Sequence, residues 1–141
     1  MKHKERIQIA EYTTEKMIKK YDNDILVGGI FGSTARNEDE KYSDLEMVFI
    51  VKDSSKAKTV EFYYKGILIS LDVLKISRVK KSIKNIDIMW PLRMARLFSL
   101  QVTCGNKKIL HDFHNIIKKN TRKKIQESNS KQYIPYQRWT Q

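Results

Sequence analysis

The chain has 141 residues, of which 40% are hydrophobic and 31% are charged, which is typical of one globular domain with its own core. No apolar stretch approaches the roughly 20 residues that a membrane-spanning helix requires. The single cysteine, Cys104, excludes an internal disulfide, and the charged N-terminus is unlike a signal peptide. These features predict a cytoplasmic protein with no membrane partner.

The formal net charge is +12 at pH 7. Such an excess attracts polyanions, including nucleic acids and nucleotides. The lysines are scattered along the chain as well as clustered, however, so an ordinary solvated basic surface explains the charge equally well. Charge alone does not choose between RNA, a nucleotide and an acidic protein as the partner.

The first half of the chain alternates between helical and strand patterns. Residues 3–21 carry apolar side chains at helical spacing and predict an amphipathic helix. The apolar, β-branched residues 25–31 predict a buried strand, after which a short helix is expected from Ser33. Residues 45–51 predict a second buried strand.

Two further strands, 59–65 and 67–74, are predicted to form a hairpin through Gly66. Helical patterns then take over. The predicted helices are residues 78–86 with Ser77 as the N-cap, a helix from Pro91 to about Val102, and a helix capped by Asn106 that runs to about Ile125. The order of elements predicts an α+β fold, with helices flanking one small mixed sheet.

A glycine and a serine, Gly32-Ser33, lie between the first strand and the short helix. Glycine lets the backbone approach a ligand closely, and the N–H groups of a helix start suit a phosphate. Ser33 adds a hydroxyl donor, and Arg36 adds a guanidinium one turn later. An ordinary strand-to-helix turn with Ser33 as the N-cap explains the same residues.

Asp44 and Glu46 precede and enter a strongly apolar strand. Residues two apart on a strand point to the same side, so both carboxylates face one small volume, where a cation would relieve their repulsion. Mg²⁺ prefers such oxygen ligands together with substrate phosphates. The alternative is that both residues lie at a solvent-facing end of the strand.

Asp72 lies within another apolar strand, where a buried carboxylate needs a counter-charge. If this strand is adjacent to 45–51, three carboxylates converge. Three such ligands, with triphosphate oxygens, can hold the two divalent ions used for in-line phosphoryl transfer.

Three segments, GGIFGSTAR (28–36), SDLEM (43–47) and LDV (71–73), together resemble the polymerase-β-like nucleotidyltransferase superfamily. Its signature is Gly-Ser, about ten residues, Asp-x-Asp/Glu, and a third carboxylate on a neighbouring strand. A narrower resemblance, to the N-terminal domain of kanamycin (aminoglycoside) nucleotidyltransferases, rests on the Tyr-Ser-Asp run and on the Trp-Pro-Leu segment at 90–92. The resemblance covers roughly residues 5–110.

The resemblance implies a nucleotidyltransferase catalytic domain in residues 1–104, followed by a C-terminal helix and a basic tail in 105–141. It implies that Mg²⁺, as two ions, and a nucleoside triphosphate such as ATP bind the chain. The implied roles are nucleotide binding for Gly32, Ser33 and Arg36, and catalysis and metal binding for Asp44, Glu46 and Asp72.

Kanamycin-type enzymes continue into a helical domain that supplies a carboxylate base, and no residue here matches that base. The resemblance therefore also extends to minimal nucleotidyltransferases, which pair with a separate helical protein of the HEPN class. A homodimer or such a helical partner would complete the acceptor side. The charge of +12 disfavours a polycationic aminoglycoside as the acceptor.

Two functions remain open at this stage. The first is an enzyme that transfers a nucleoside monophosphate from a triphosphate to an acceptor hydroxyl and releases pyrophosphate. The second is an antitoxin or regulatory binding protein that docks a helical partner or RNA. For the second, the candidate contacts are the basic cluster Lys118, Lys119, Arg122, Lys123 and Lys124, and the aromatic residues Tyr133, Tyr136 and Trp139 of a tail, 126–141, that is expected to be loosely ordered.

Overall fold

The computed structural model describes residues 1–140, with side chains through residue 129. The helices are α1 His3–Tyr21, a 3₁₀ turn Asp22–Asp24, α2 Gly32–Ala35, α3 Ile76–Lys84, α4 Trp90–Phe98 and α5 Lys107–Thr140. The strands are β1 Ile25–Phe31, β2 Leu45–Val51, β3 Val60–Tyr64, β4 Ile67–Lys75 and β5 Gln101–Gly105. This architecture confirms the predicted α+β fold.

The strands form one five-stranded mixed sheet in the order β3-β4-β2-β1-β5. Strands β2 and β4 pair in parallel, whereas every other neighbouring pair is antiparallel. The hairpin predicted through Gly66 joins β3 to β4, where Gly66 has a φ of 76°. Strands β1 and β2 are mostly buried, because helices cover the sheet on each side.

Each face of the sheet carries its own hydrophobic cluster. On one face the strands pack against α1, through Ala10, Ile30, Leu45, Met47, Phe49, Val51, Ile69 and Leu71. On the other face they pack against α3, α4 and α5, through Val27, Ile50, Val79, Ile83, Trp90, Met94, Leu97, Leu110, Phe113 and Ile117. Within the described part of the chain, no helix combines the length and hydropathy needed to cross a bilayer.

The helix predicted from Pro91 to about Val102 is wrong at its C-terminal end. Helix α4 stops at Phe98, and residues 101–105 form β5, antiparallel to β1. Pairing satisfies backbone groups that β1 would otherwise leave unpaired at the sheet edge, and this long-range contact overrides the local helical spacing. A Cβ at Gly29 would overlap the carbonyl oxygen of Gln101, so glycine permits the approach of the new strand.

The two predicted helix caps have opposite outcomes. Asn106 is confirmed as a cap of α5, because its side-chain oxygen accepts a hydrogen bond of 2.9 Å from the backbone N–H of Lys108. Ser77 is not the cap of α3, which already begins at Ile76. Instead, the backbone N–H of Ser77 donates to the carboxylate of Asp53 at 3.0 Å, so a side chain from a distant loop performs the capping.

Helix α5 continues past its predicted end near Ile125, to Thr140. The prediction of a loosely ordered tail at 126–141 is therefore wrong for the backbone of residues 126–140. Tyr133, Tyr136 and Trp139 lie outside the described side chains.

A buried arginine ties α1 to the loop between α2 and β2. The side chain of Arg6 is completely buried, although a charged residue of an amphipathic helix is expected to face solvent. Its guanidinium donates to three backbone carbonyls, those of Met1 (2.9 Å), Lys41 (2.9 Å) and Ser43 (3.1 Å). These bonds hold the end of the loop that leads into β2.

Asp39 supplies the counter-charge for Arg6. Its carboxylate accepts hydrogen bonds from Arg6 at 3.0 Å and from Nδ1 of His3 at 2.6 Å, and its side chain is 1% exposed. Burial opposes ionisation, but the bonds from His3 and the backbone and the charge of Arg6 hold the pKa of Asp39 below its ordinary value of 3.8. The carboxylate of Asp39 therefore stays ionised at neutral pH.

We predict that Arg6→Met lowers the free energy of unfolding by about 3 kcal/mol, because it leaves a buried carboxylate without its partner. Urea unfolding at pH 7 measures this. Lys19→Met, on the exposed side of the same helix, is the matched control and should change stability by less than about 0.5 kcal/mol.

Stability from the depressed pKa of Asp39 is present above pH 3.8 and is lost as the pH falls through its lower folded-state value. The difference between wild type and Arg6→Met should therefore shrink in acid. Equal stability of the two proteins at pH 7 would contradict the assignment.

Candidate active site

A cavity of about 470 Å³ lies where β1 ends and β2 begins. Phe31 and Glu46 are partners across the β1–β2 pair at this end of the sheet. Three segments line the cavity: Phe31, Gly32, Ser33 and Arg36 from the β1–α2 region, Ser43, Asp44 and Glu46 from the start of β2, and Leu92, Ala95, Arg96 and Ser99 from the region of α4. The structure thus brings five of the six predicted site residues around one cavity.

Gly32, of the Gly-Ser turn, lies against Glu46, of the Asp-x-Glu motif. It has a φ of 74°, a conformation that glycine adopts without strain. A Cβ at this position would overlap Oε2 of Glu46. The Gly-Ser turn and the carboxylate therefore lie in direct contact, and any other residue at position 32 would separate them.

Ser33 lies inside α2, and the residue before the helix is Phe31, with no side-chain capping bond. The interpretation of Ser33 as an ordinary N-cap is therefore wrong. Because α2 is a single turn of four residues, its macrodipole is small, and the useful donors are its first backbone N–H groups and the Ser33 hydroxyl.

The two carboxylates of the Asp-x-Glu motif have different environments. Asp44 is exposed and precedes β2, whereas Glu46 is half-buried within it. Burial, and then the negative charge of Asp44, raise the pKa of Glu46 above its ordinary value of 4.5, against the positive charges of Arg96 and Arg36. The solvent-facing alternative thus describes Asp44 but not Glu46.

Asp72 lies on the same face of the sheet as Glu46 but is held by an arginine. Strands β2 and β4 are adjacent, and Asp72 is the direct partner of Val48, two residues after Glu46, so all three side chains share a face. The carboxylate of Asp72 forms an ion pair with the guanidinium of Arg96. The negative charge of Asp72 also contributes to raising the pKa of Glu46.

Arg96 is the charged residue in the lining of this cavity that the sequence motifs did not identify. Its guanidinium lies over the ring of Phe31, 4.5 Å from the centroid, a cation–π contact, while it pairs with Asp72. The available signal was an arginine at the apolar spacing of α4, beside Leu92, Ala95 and Ser99. A charged residue at such a position needs a buried or half-buried partner.

Arg36 lines the cavity and pairs with Glu38 at 3.0 Å, with both side chains at least half exposed. A pair this exposed is weak and leaves the guanidinium available for another anion. Among the described residues, no three His, Cys, Asp or Glu side chains are grouped so that they could hold a metal ion by themselves. Protein carboxylates here can bind a cation only with help from other oxygen ligands.

Comparison with known proteins supports a nucleotidyltransferase resemblance. The chain is 24% identical over 100 residues to an aminoglycoside nucleotidyltransferase (4') of Staphylococcus aureus and equally to one of a Bacillus species. The match covers 71% of this chain and 40% of each relative, so the chain spans well under half of their length. No protein-family model matches.

A solved structure with a similar fold is a nucleotidyltransferase-like protein from Exiguobacterium sibiricum. The TM-score is 0.54 at 12% sequence identity, and the similarity covers 79% of this chain and 38% of that one. The chain therefore has a nucleotidyltransferase-like fold.

We predict that Glu46→Gln raises the melting temperature at pH 7 in the presence of a chelator. The raised pKa of Glu46 means that its charged form destabilises the folded chain above that pKa, and that this penalty disappears as the pH falls to 4.5. The gain of the variant should therefore vanish in acid. Glu15→Gln on exposed α1 is the control, and a lower melting temperature for Glu46→Gln at pH 7 would contradict the assignment.

Proposed function

We propose that this chain transfers a nucleoside monophosphate from a nucleoside triphosphate, with ATP as the first candidate, to an acceptor hydroxyl. The observation that carries the proposal is the contact between Gly32 and the Glu46 carboxylate, in the cavity that Ser33 and Asp44 also line. Nucleotidyl transfer requires hydrogen-bond donors that hold the phosphates and carboxylates that hold the metal ions, and both line this cavity. The similarity to aminoglycoside nucleotidyltransferases supports the same reaction class.

The phosphate side of the cavity is cationic. We assign the triphosphate to the backbone N–H groups and hydroxyl at Gly32-Ser33, with Arg36 and Arg96 contributing guanidinium donors. Arg36 is only weakly engaged by Glu38, since both side chains are exposed. These donors would orient the α-phosphorus toward the acceptor.

Asp44 and Glu46 fit Mg²⁺ as part of a ligand set. Both present carboxylate oxygens to the cavity, and the raised pKa of Glu46 reflects, after burial, a repulsion from Asp44 that a cation would relieve. When bound, Mg²⁺ supplies positive charge that neutralises the phosphate oxygens and the leaving pyrophosphate. The expected second ion depends on Asp72, which is available only if Arg96 releases its carboxylate.

In the proposed transfer, the acceptor oxygen forms a bond to the α-phosphorus. The bond from that phosphorus to the bridging oxygen of the β-phosphate breaks, and pyrophosphate leaves with the electron pair. The acceptor proton passes to solvent. The chain's own contribution is to hold the phosphates and to place the carboxylates against them.

We further propose that another protein surface covers the α4 side of the cavity, in a homodimer or with a helical partner. Three apolar side chains of this region are strongly exposed: Met89 (50%), Leu92 (65%) and Phe98 (45%). Leu92 also lines the cavity. RNA is a candidate acceptor because of the basic charge of the chain. We place the protein in the cytoplasm.

We predict that wild-type protein transfers label from α-³²P-ATP to an acceptor in cell extract, with Mg²⁺ or Mn²⁺ present. Asp44→Ala should lower the rate about 100-fold or more, because it removes a carboxylate at the reacting phosphates. Asp112→Ala, an exposed carboxylate of α5, should leave the rate unchanged. If wild type labels no protein, RNA or small molecule under these conditions, the proposed transfer is contradicted and the alternative of a binding protein is favoured.

We predict that Arg96→Gln has opposite effects on two ligands. It should tighten Mn²⁺ binding without nucleotide about threefold to tenfold, because it frees Asp72 and removes a positive charge. It should weaken metal-free ATP binding, because it removes a guanidinium that donates hydrogen bonds to the phosphates.

Isothermal titration calorimetry measures both affinities. In the double variant Arg96→Gln/Asp72→Asn, the gain in Mn²⁺ affinity should largely disappear. Weaker Mn²⁺ binding in Arg96→Gln would contradict the assigned role of this ion pair.

A further inference from the structure

A second cavity, of about 360 Å³, lies between α3 and α4 on the same face of the sheet as Glu46 and Asp72. Its floor consists of Val48 from β2 and Leu74 from β4, and its walls include Val79, Met94 and Leu97. These wall residues belong to the hydrophobic core. The volume falls within the range of small-molecule sites, which are usually apolar clefts with a few polar groups.

All of the charged residues described around this cavity are positively charged. Among its described lining residues are Arg78, Lys81, Arg93 and Arg96, and none is acidic. Arg78 and Lys81 are exposed on α3 and have no ion-pair partner within residues 1–129. An occupant with a negative group would therefore meet two uncompensated cations at the mouth.

The other two cations of the lining, Arg93 and Arg96, already have ion-pair partners. The guanidinium of Arg93 donates hydrogen bonds of 2.9 Å to Ser82, Asp87 and the carbonyl of Asn85. This fixed network joins α4 to the C-terminal part of α3 and keeps the two helices in position around the cavity. Arg93 thus shapes the wall, while Arg78 and Lys81 remain for a ligand.

This second cavity adjoins the candidate active site. Asp72 is paired across the sheet with Val48 and lies two residues before Leu74, and both of these neighbours form the cavity floor. Arg96 lines both cavities. Arg96, which is paired with Asp72, is therefore a residue that the two cavities share.

We propose that the cavity between α3 and α4 binds a small organic anion, with its apolar body against Met94 and Leu97 and its negative group near Arg78 and Lys81. The walls exclude a hydrated inorganic ion, because burying one among core side chains is costly. The shape, with helices on two sides and the sheet as the floor, suits a compact molecule. This site is distinct from the nucleotide cleft and stands whether or not the chain transfers nucleotide.

Methionine methyl NMR reports on this cavity directly. The chain has five methionines, of which Met94 lines the cavity, whereas Met17 and Met47 pack on the opposite face of the sheet. With ¹³C-methyl-labelled protein and 2-naphthoate as the probe, we expect a saturable shift of the Met94 methyl signal and none for Met17 or Met47. Met94→Leu assigns the signal.

Two pairs of substitutions test the role of charge. Arg78→Gln/Lys81→Gln should weaken 2-naphthoate binding about tenfold, because it removes both cations at the mouth. Lys16→Gln/Lys19→Gln, on exposed α1, lowers the net charge equally and should change the affinity less than twofold. All four positions are exposed, so both variants should fold.

Several outcomes would overturn the proposal. These are the absence of a Met94 shift, an equal shift with 2-naphthylmethylammonium, and equal weakening by the two charge variants. Displacement of 2-naphthoate from the cavity by ATP would also overturn it, because the cavity would then hold part of the nucleotide. Asp44→Ala should bind 2-naphthoate normally, so a failure of this site and a failure of the proposed transfer give different results.

Discussion

The buried guanidinium of Arg6 is the interaction on which the geometry of the site depends. The loop between α2 and β2 has little hydrophobic surface of its own, and its carbonyls at Lys41 and Ser43 are held instead by this one side chain. Asp39, from the same loop, provides the compensating charge. Because Asp44 directly follows this loop, α1 on the far side of the sheet determines where the first carboxylate lies. The hydrogen bonds that Arg6 and Asp39 make offset the desolvation cost of burying the two charges.

The cavity itself is a balance of opposite charges around a backbone contact. Glu46 is half-buried against Gly32 and close to Asp44, an arrangement that raises its pKa. Arg96 reduces this repulsion and occupies the carboxylate of Asp72. A carboxylate whose pKa is raised by burial and by a neighbouring carboxylate is a feature that functional sites often share. Arg96 also lines the apolar cavity between α3 and α4.

Much of the secondary structure could be predicted from local sequence patterns. The helical spacing of residues 3–21, the apolar strands 25–31 and 45–51, and the turn at Gly66 each have a local cause, and the structure places each close to its predicted bounds. The predictions that were wrong depended on contacts between residues far apart in the sequence. Residues 101–105 became a strand because the edge of β1 needed a partner, and a helix was capped by Asp53 from another loop. Neither contact has a signal in the residues nearest to it.

The sequence by itself determined the mixed α+β architecture and the residue types of the site, because hydrophobic periodicity and the Gly-Ser and Asp-x-Glu spacings are local properties. Tertiary structure alone decided which of those groups meet. It placed Asp72 opposite Val48 with Arg96 as its partner, and it buried Arg6 beneath the loop. The reason is physical: a charge inside a fold is paired by whichever chain segment packs against it, and sequence distance carries no information about that packing.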